Sequence, residues 1–181
     1  MNIKDHSVSK ENFELKYNSE YDLFQTHPIP KNLEHYYQSE DYISHTDAKR
    51  SLFEKIYHWV KQYTLSQKER LIFSYTKKKG NLLDIGAGTG DFISYAKNKN
   101  WKVVGIEPSQ KAKELAQKKG VPFVEDSQEL SDNSFDVITM WHVLEHVENI
   151  DKQLSELKRI SKPGGIIVIA VPNFKSNAQE R

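Results

Sequence analysis

Residues 82–92 read LLDIGAGTGDF, and the fold turns on how this stretch is understood. A short apolar run closes at Asp84 and Ile85, Gly86, Gly88 and Gly90 follow, and a helical pattern starts at Asp91. A strand that enters a helix through such a turn uses glycine for positive φ and for the missing Cβ. The backbone can then lie against a ligand, with the helix's free N–H groups facing it. The spacing is G-x-G-x-G, whereas the dinucleotide fingerprint G-x-G-x-x-G has its third glycine one position later, which disfavours NAD.

Outward from this turn, short apolar runs alternate with helical stretches. Strands are predicted over residues 81–85, 102–107, 121–124, 135–140 and 165–171, and helices over 91–99, 109–119 and 150–160. Such alternation requires parallel strands joined by right-handed crossovers, and nearly continuous apolar strands suit a sheet covered on both faces. The fold class is therefore α/β, a Rossmann-like doubly wound parallel sheet. The glycine turn marks strand 1 as the switch point, so the predicted order is 3-2-1-4-5, with a ligand across the C-terminal ends of strands 1, 2 and 4.

Two acids flank that position. Glu107 closes the second strand about 20 residues beyond the glycines, where a carboxylate can accept from both hydroxyls of a ribose. Asp84 lies next to the loop; its charge would oppose a pyrophosphate but help to hold an ammonium group, directly or through water. A ligand with a ribose and a cationic amino-acid portion fits both.

The sequence from residue 80 to 173 resembles a class I S-adenosylmethionine-dependent methyltransferase, of the type 11/12/23 group and ubiquinone O-methyltransferase-like. The resemblance is carried by LLDIGAGTGDF, VVGIEPS, FDVITMWHVLEHV and LKRISKPGGIIVIAVPN, in the family's order and spacing. It implies an S-adenosylmethionine site in which Asp84, Gly86 and Gly88 surround the methionine part, with Ala87 and Gly90 in the same loop. By the same resemblance Glu107 takes the ribose, Pro108 packs by the adenine, Asp126 meets its exocyclic amine beside Ser127, and Trp141 walls the pocket. The implied activity is methyl transfer to a small-molecule acceptor. A nonenzymatic module that binds S-adenosylmethionine or S-adenosylhomocysteine is the first alternative, and a NAD-dependent oxidoreductase the second.

Residues 140–146, MWHVLEH, contain H-x-x-E-H, the spacing of one class of zinc peptidase. That chemistry needs the motif inside a long helix and a third ligand from elsewhere. Here the preceding FDVITM is strand-like, so no peptidase and no metal is expected. The stretch resembles the E-V-L-E-H-V segment of quinone and polyphenol O-methyltransferases, but His142 replaces the first acid, and imidazole is a poorer ligand than carboxylate for a hard cation. Glu145 and His146 are read as fixing the following helix. His142, at the ligand end of the sheet, is the candidate general base for a hydroxyl or phenol acceptor.

The remainder of the chain is less patterned. Residues 1–78 are predicted to form an N-terminal extension, irregular at first with a hairpin around residues 13–24, followed from Asp47 by two helices that meet near Ser66; residues 79–181 form the binding domain. Lys and Arg on those helices are read as the solvated side of packed helices. The aromatic segment at residues 36–45, YYQSEDYISH, is expected near the pocket mouth, as a lid or as packing. The beginning also faintly resembles methyltransferases with an N-terminal zinc ribbon, but the chain has no cysteine and no zinc is predicted there.

The 181 residues carry 26 Lys+Arg against 25 Asp+Glu, a net charge of +1, so no basic field exists to draw in nucleic acid or an anionic membrane. The first residues have no apolar signal region, and no apolar run approaches ~18 residues, which places the chain in the cytoplasm. Relatives continue past PN with two more strands, whereas this chain stops eight residues beyond Asn173 and reads as C-terminally truncated. The last strand is then an exposed edge or the seam of a homodimer.

Overall fold

The computed structural model describes residues 2–4, 10–28 and 52–173. The expected helix start at Asp47 and the aromatic segment at 36–45, with its placement near the pocket, lie outside the described residues. Two compact units divide the chain, residues 1–45 with 173–181, and residues 46–172.

The first unit holds a three-stranded antiparallel sheet of β1 (Asn2–Lys4), β2 (Asn12–Asn18) and β3 (Leu23–His27), in that order. The predicted hairpin is its β2–β3 pair, and what reads as irregular around it is therefore more regular than its composition suggests. Tyr17 faces Phe24 across the two strands with ring centroids 5.5 Å apart. The intervening turn is closed by side chains: Asn18 Oδ1 accepts from the Glu20 N–H at 3.0 Å, and Tyr17 donates to Asp22 at 2.7 Å. Aromatic cross-strand pairs and Asx turns are local devices that a weak hydropathy pattern conceals.

The second unit begins with α1 (Leu52–Thr76). One continuous helix stands where two were expected. Ser66 does not cap a second helix; its Oγ donates back to the Tyr63 carbonyl at 2.7 Å, an i−3 bond that a serine in mid-helix makes without ending it. Leu65 and Ile72 on α1 are buried in the same apolar cluster as the sheet, so the helix belongs to the core of this unit.

The sheet that follows contains β4 (Asn81–Ile85), β5 (Lys102–Ile106), β6 (Phe135–Trp141) and β7 (Ser161–Ala170), all parallel, in the order β5-β4-β6-β7. Residues 121–124 add only a single parallel bridge, Gly105 to Phe123, next to β5. The predicted order 3-2-1-4-5 therefore holds, with strand 3 reduced to that bridge. Pro122 has no N–H to give a ladder, and Phe123 fills the space over Gly105, where a Cβ would come within 2.6 Å of its ring.

Three helices cross between the strands: α2 (Asp91–Asn98), α3 (Gln110–Lys118) and α4 (Ile150–Ile160). Strand alternation sorts the core into two clusters. Leu82 and Val137 pack with α1 and α2, through Leu65, Ile72, Phe92 and Ile93; Leu83, Ile85, Ile138 and Met140 pack with Leu157 and Ile160 of α4. Each fully buried aliphatic side chain contributes about 1.5–3 kcal/mol to this two-sided packing. The same alternation puts Asp84, Thr139 and Trp141 on the side of the sheet that faces α1.

The β7 strand starts earlier than predicted. Ser161 pairs with Phe135 and Ile166 with Val137, and the residues between bulge out of register. Among the described residues β7 is the edge of its sheet, as expected. No described helix is long and apolar enough to cross a membrane.

Candidate functional site

The glycine loop runs from the end of β4 into α2 and is fixed by β5. The N–H groups of Gly86 and Ala87 both donate to the Ile106 carbonyl, at 2.8 and 3.1 Å. Two of its glycines are demanded by conformation and by packing. Gly86 has φ +70, and a Cβ there would come within 2.3 Å of Val143; Gly90 has φ +76, and its Cβ would meet that of Ala116 on α3 at 2.5 Å. Between them the Gly88 N–H donates to Glu107 Oε2 at 2.7 Å.

Glu107 stands just beyond β5 and is only 4% exposed. Its other oxygen, Oε1, accepts from the Ser109 N–H at 2.9 Å, so one carboxylate ties the glycine loop to the start of α3. Each carboxylate oxygen can accept a second bond, which leaves acceptor capacity on Glu107 for hydroxyl groups. Pro108 is exposed beside it.

Asp84 sits on the neighbouring strand, 2% exposed. Thr139 Oγ1 donates to its Oδ1 at 2.6 Å from β6. Burial raises the Asp84 carboxyl to about 7, against the pull of the Thr139 bond and of the Lys68 charge, while the Glu107 charge adds to the rise. Such a group lies within reach of both protonation states near neutrality.

Lys68 reaches this point from α1. Its ammonium lies 4.2 Å from the centre of the Trp141 ring and 5.7 Å from that of Phe92. Loss of hydration lowers its pKa, and attraction to Asp84 opposes that fall. Trp141 meets Phe92 edge to face at 5.5 Å. Its indole Nε1 is buried and has no hydrogen-bond partner among the described residues. A buried donor left without an acceptor costs about 1–3 kcal/mol, so a polar ligand atom would be stabilised there.

Lys68 and Thr139 were not anticipated as site residues. Lys68 lies three residues after Leu65 and four before Ile72, on the buried stripe of α1, so helical spacing was the signal that distinguished it from its solvated neighbours.

The segment at 125–129 follows the bridge beside β5. Asp126 caps a short 3-10 turn, Ser127–Glu129, in a reciprocal box: Asp126 Oδ1 accepts from the Gln128 N–H at 2.8 Å, and Glu129 Oε1 accepts from the Asp126 N–H at 3.2 Å. Arg159 of α4 secures this loop by donating to the Ser127 and Leu130 carbonyls at 3.0 and 2.9 Å.

MWHVLEH is not helical at its start. Trp141 ends β6, His142 has φ +58, and only Leu144–His146 make a single 3-10 turn, so the two histidines share no helix face. The His142 N–H donates to the Ala170 carbonyl of β7 at 2.8 Å, and its side chain is 65% exposed with Nδ1 3.6 Å from Glu145 Oε1. Among the described residues no three His, Asp or Glu side chains are grouped to hold a metal ion.

Comparison with known proteins bears on this arrangement. A family model described as a methyltransferase domain matches residues 49–181. The chain is 32% identical over 114 residues to an uncharacterized methyltransferase of Schizosaccharomyces pombe, covering 53% of this chain and 41% of the relative. It is 32% identical over 108 residues to the demethylmenaquinone methyltransferase of Chlorobaculum tepidum, covering 56% of this chain and 45% of that one. A solved structure of a SAM dependent methyltransferase from Archaeoglobus fulgidus superimposes with a TM-score of 0.57 at 25% identity, over 69% of this chain and 59% of that one. The chain spans about half the length of the curated relatives it matches.

Proposed function

The chain belongs to the methyltransferase-domain family, and on that premise we propose that it binds S-adenosylmethionine across the C-terminal ends of β4, β5 and β6 and methylates a small-molecule acceptor. When bound, the cofactor supplies a methyl group activated by a positive sulfonium. The observation that carries the reading is the convergence at one end of the sheet of a glycine loop hydrogen-bonded to Glu107, the buried acid Asp84 and the indole of Trp141, unpartnered among the described residues.

These residues fit the cofactor's parts. Glu107 is held by two backbone N–H groups and keeps acceptor capacity for ribose hydroxyls, with Pro108 beside it for the adenine. Asp126 and Ser127 border the adenine side, where Asp126 retains acceptor capacity beyond its cap. Asp84 presents negative charge to an ammonium group. Gly86, Ala87, Gly88 and Gly90 let the loop approach the methionine part without side-chain bulk. Trp141 and Phe92 form an aromatic wall that excludes water, and positioning in a dry pocket is the main demand of an in-line displacement.

His142 lies on the acceptor side of this arrangement. Exposed at the end of β6, it is the residue placed to take a proton from a hydroxyl or phenol acceptor. The likeness to a demethylmenaquinone methyltransferase supports a small organic acceptor.

The test is calorimetric titration of the protein with S-adenosylhomocysteine and with NAD. Binding of S-adenosylhomocysteine with no heat from NAD is expected. The G-x-G-x-G spacing and Asp84 both disfavour a pyrophosphate, so NAD binding without S-adenosylhomocysteine binding would replace the methyltransferase reading by the oxidoreductase one.

A further inference from the structure

Asp126 is exposed, and an exposed carboxylate selects among bases only if something other than the ligand fixes its direction. The two bonds its side chain accepts, from the Gln128 N–H at 2.8 Å and the Ser127 hydroxyl at 3.4 Å, use Oδ1, so Oδ2 keeps its acceptor capacity. The turn that Asp126 caps is closed by the Leu130 N–H on the Ser127 carbonyl at 2.9 Å, and both of these residues are gripped from α4. Arg159 Nη2 donates to the Ser127 carbonyl at 3.0 Å, and Nη1 to the Leu130 carbonyl at 2.9 Å and to Asp132 at 2.6 Å. Its Nε and Nη2 also make a bidentate pair with Glu156 at 2.8 and 2.6 Å. All five guanidinium donors are thereby engaged: the Glu156 pair fixes the plane of the fork, and the other edge holds the loop. On the opposite flank Glu125 accepts at 2.6 Å from Lys113 of α3, a lysine only 4% exposed.

Resting on the S-adenosylmethionine reading, we propose that Arg159 is a positioning residue for base selection: through the Ser127 and Leu130 carbonyls it holds the turn in place before a ligand arrives, and so directs Asp126 Oδ2 to the exocyclic amine of adenine. A carboxylate accepts from that amine, whereas hypoxanthine carries a carbonyl at the same position and would set two oxygens against each other. Discrimination of this kind needs the unfavourable contact as much as the favourable one. If the loop were free to turn, Asp126 would swing from the hypoxanthine carbonyl to the neighbouring ring N–H, and the penalty would vanish. Arginine suits the task because one planar fork bridges two carbonyls while staying paired to its own helix, which the single ammonium of a lysine does not do.

The test titrates the full chain with S-adenosylhomocysteine and with S-inosylhomocysteine, which differs only in carrying hypoxanthine. The wild type should prefer the adenine compound by about tenfold or more. In Arg159→Met the preference should shrink to within about threefold, because the adenine compound binds more weakly while the hypoxanthine compound does not. Asp126→Ala should lose the preference to the same extent, and Arg159→Met added to Asp126→Ala should lose no more, since one residue acts through the other. Hydrogen exchange on the wild type gives a second measurement that stands even if Arg159→Met fails to fold: the Gln128 and Leu130 amides should be protected before S-adenosylhomocysteine is added and change little afterwards. The proposal is overturned if the wild type binds both compounds equally, if Arg159→Met keeps the wild-type preference or weakens both compounds alike, if the double variant loses more than Asp126→Ala alone, or if the two amides exchange freely until ligand binds. Failure of the wild type to bind S-adenosylhomocysteine at all would instead overturn the methyltransferase reading beneath it.

Discussion

The two walls of the site are built differently. On the β5 side, Glu107 is bonded through both oxygens to backbone N–H groups, of Gly88 at 2.7 Å and Ser109 at 2.9 Å, and the loop it holds is pinned again by the Ile106 carbonyl. On the α1 side, Asp84 is buried with its carboxyl pushed up to about 7, Lys68 has lost much of its hydration, and the Trp141 indole lacks a partner among the described residues. One wall is satisfied and rigid before a ligand arrives. The other holds polar groups whose interactions are incomplete, and such groups are stabilised by a ligand rather than by folding. The first wall sets geometry; the second carries the response to charge and pH.

The largest expected effect separates the walls by pH. The folded Asp84 carboxyl binds its proton more tightly than the unfolded one, since burial raises its pKa from 3.8 to about 7. Its contribution to stability is thus full below about pH 4 and is lost as pH rises towards 7. Asp84→Asn keeps an oxygen for Thr139 and removes this dependence, so the stability difference, variant minus wild type, should grow by up to about 4 kcal/mol between pH 4 and pH 8. Denaturant unfolding at those two pH values measures it. A difference that stays flat would mean that Asp84 is better solvated than its burial implies.

Glu107→Ala attacks the other wall. It deprives the Gly88 and Ser109 N–H groups of their acceptor and removes the proposed ribose contacts, each charged hydrogen bond being worth about 1.5–3 kcal/mol. A fall of about 100-fold in S-adenosylhomocysteine affinity is expected by calorimetry, with a lower Tm. An unchanged Kd would remove Glu107 from the site.

Gly86→Ala probes the loop without touching a charge. With φ at +70 and Val143 2.3 Å from the new Cβ, the substitution should lower stability by about 1–3 kcal/mol in thermal unfolding. Full stability in this variant would show that Val143 and the turn can move aside, and that the first wall is less rigid than its bonds suggest.

What was legible in the sequence follows the same division. The glycine loop, Glu107 and the order of the strands are readable because each depends on a short contiguous pattern: Gly86 to Gly90, an acid closing the next strand, apolar runs of about five residues. Strand 3 was drawn too long because the apolar pattern of residues 121–124 does not record the hydrogen bond that Pro122 cannot give. The break at Ser66 was misplaced because a serine's side chain can serve a helix interior as well as a cap. The second wall was only half visible. Asp84 and Trp141 are flagged by their strand ends, but the Lys68, Asp84 and Thr139 group joins three elements, with Asp84 and Thr139 55 positions apart in the chain. Only the pairing of β4 with β6 and the facing of α1 bring them together; the predicted strand order contains the first, but periodicity does not report which face of the sheet α1 covers.

The smallest expected effect belongs to His142, which stands at the end of the second wall. Its φ of +58 is a conformation that a branched or ring-bearing side chain adopts at some cost, and the backbone is held there by the bond from its N–H to the Ala170 carbonyl at 2.8 Å. The side chain itself is 65% exposed and contributes little packing. His142→Gly retains the backbone bond and relieves the strain, so stability should rise slightly, by less than about 1 kcal/mol. His142→Ala retains most of the strain and should show no such gain. Neither change touches Asp84, Glu107 or Lys68, so S-adenosylhomocysteine should bind both variants as it binds the wild type. If His142 is the general base, methyl transfer to a phenolic acceptor should fall in both variants, while binding stays intact. Unchanged transfer would reduce His142 to a strained turn residue and leave acceptor activation to another group.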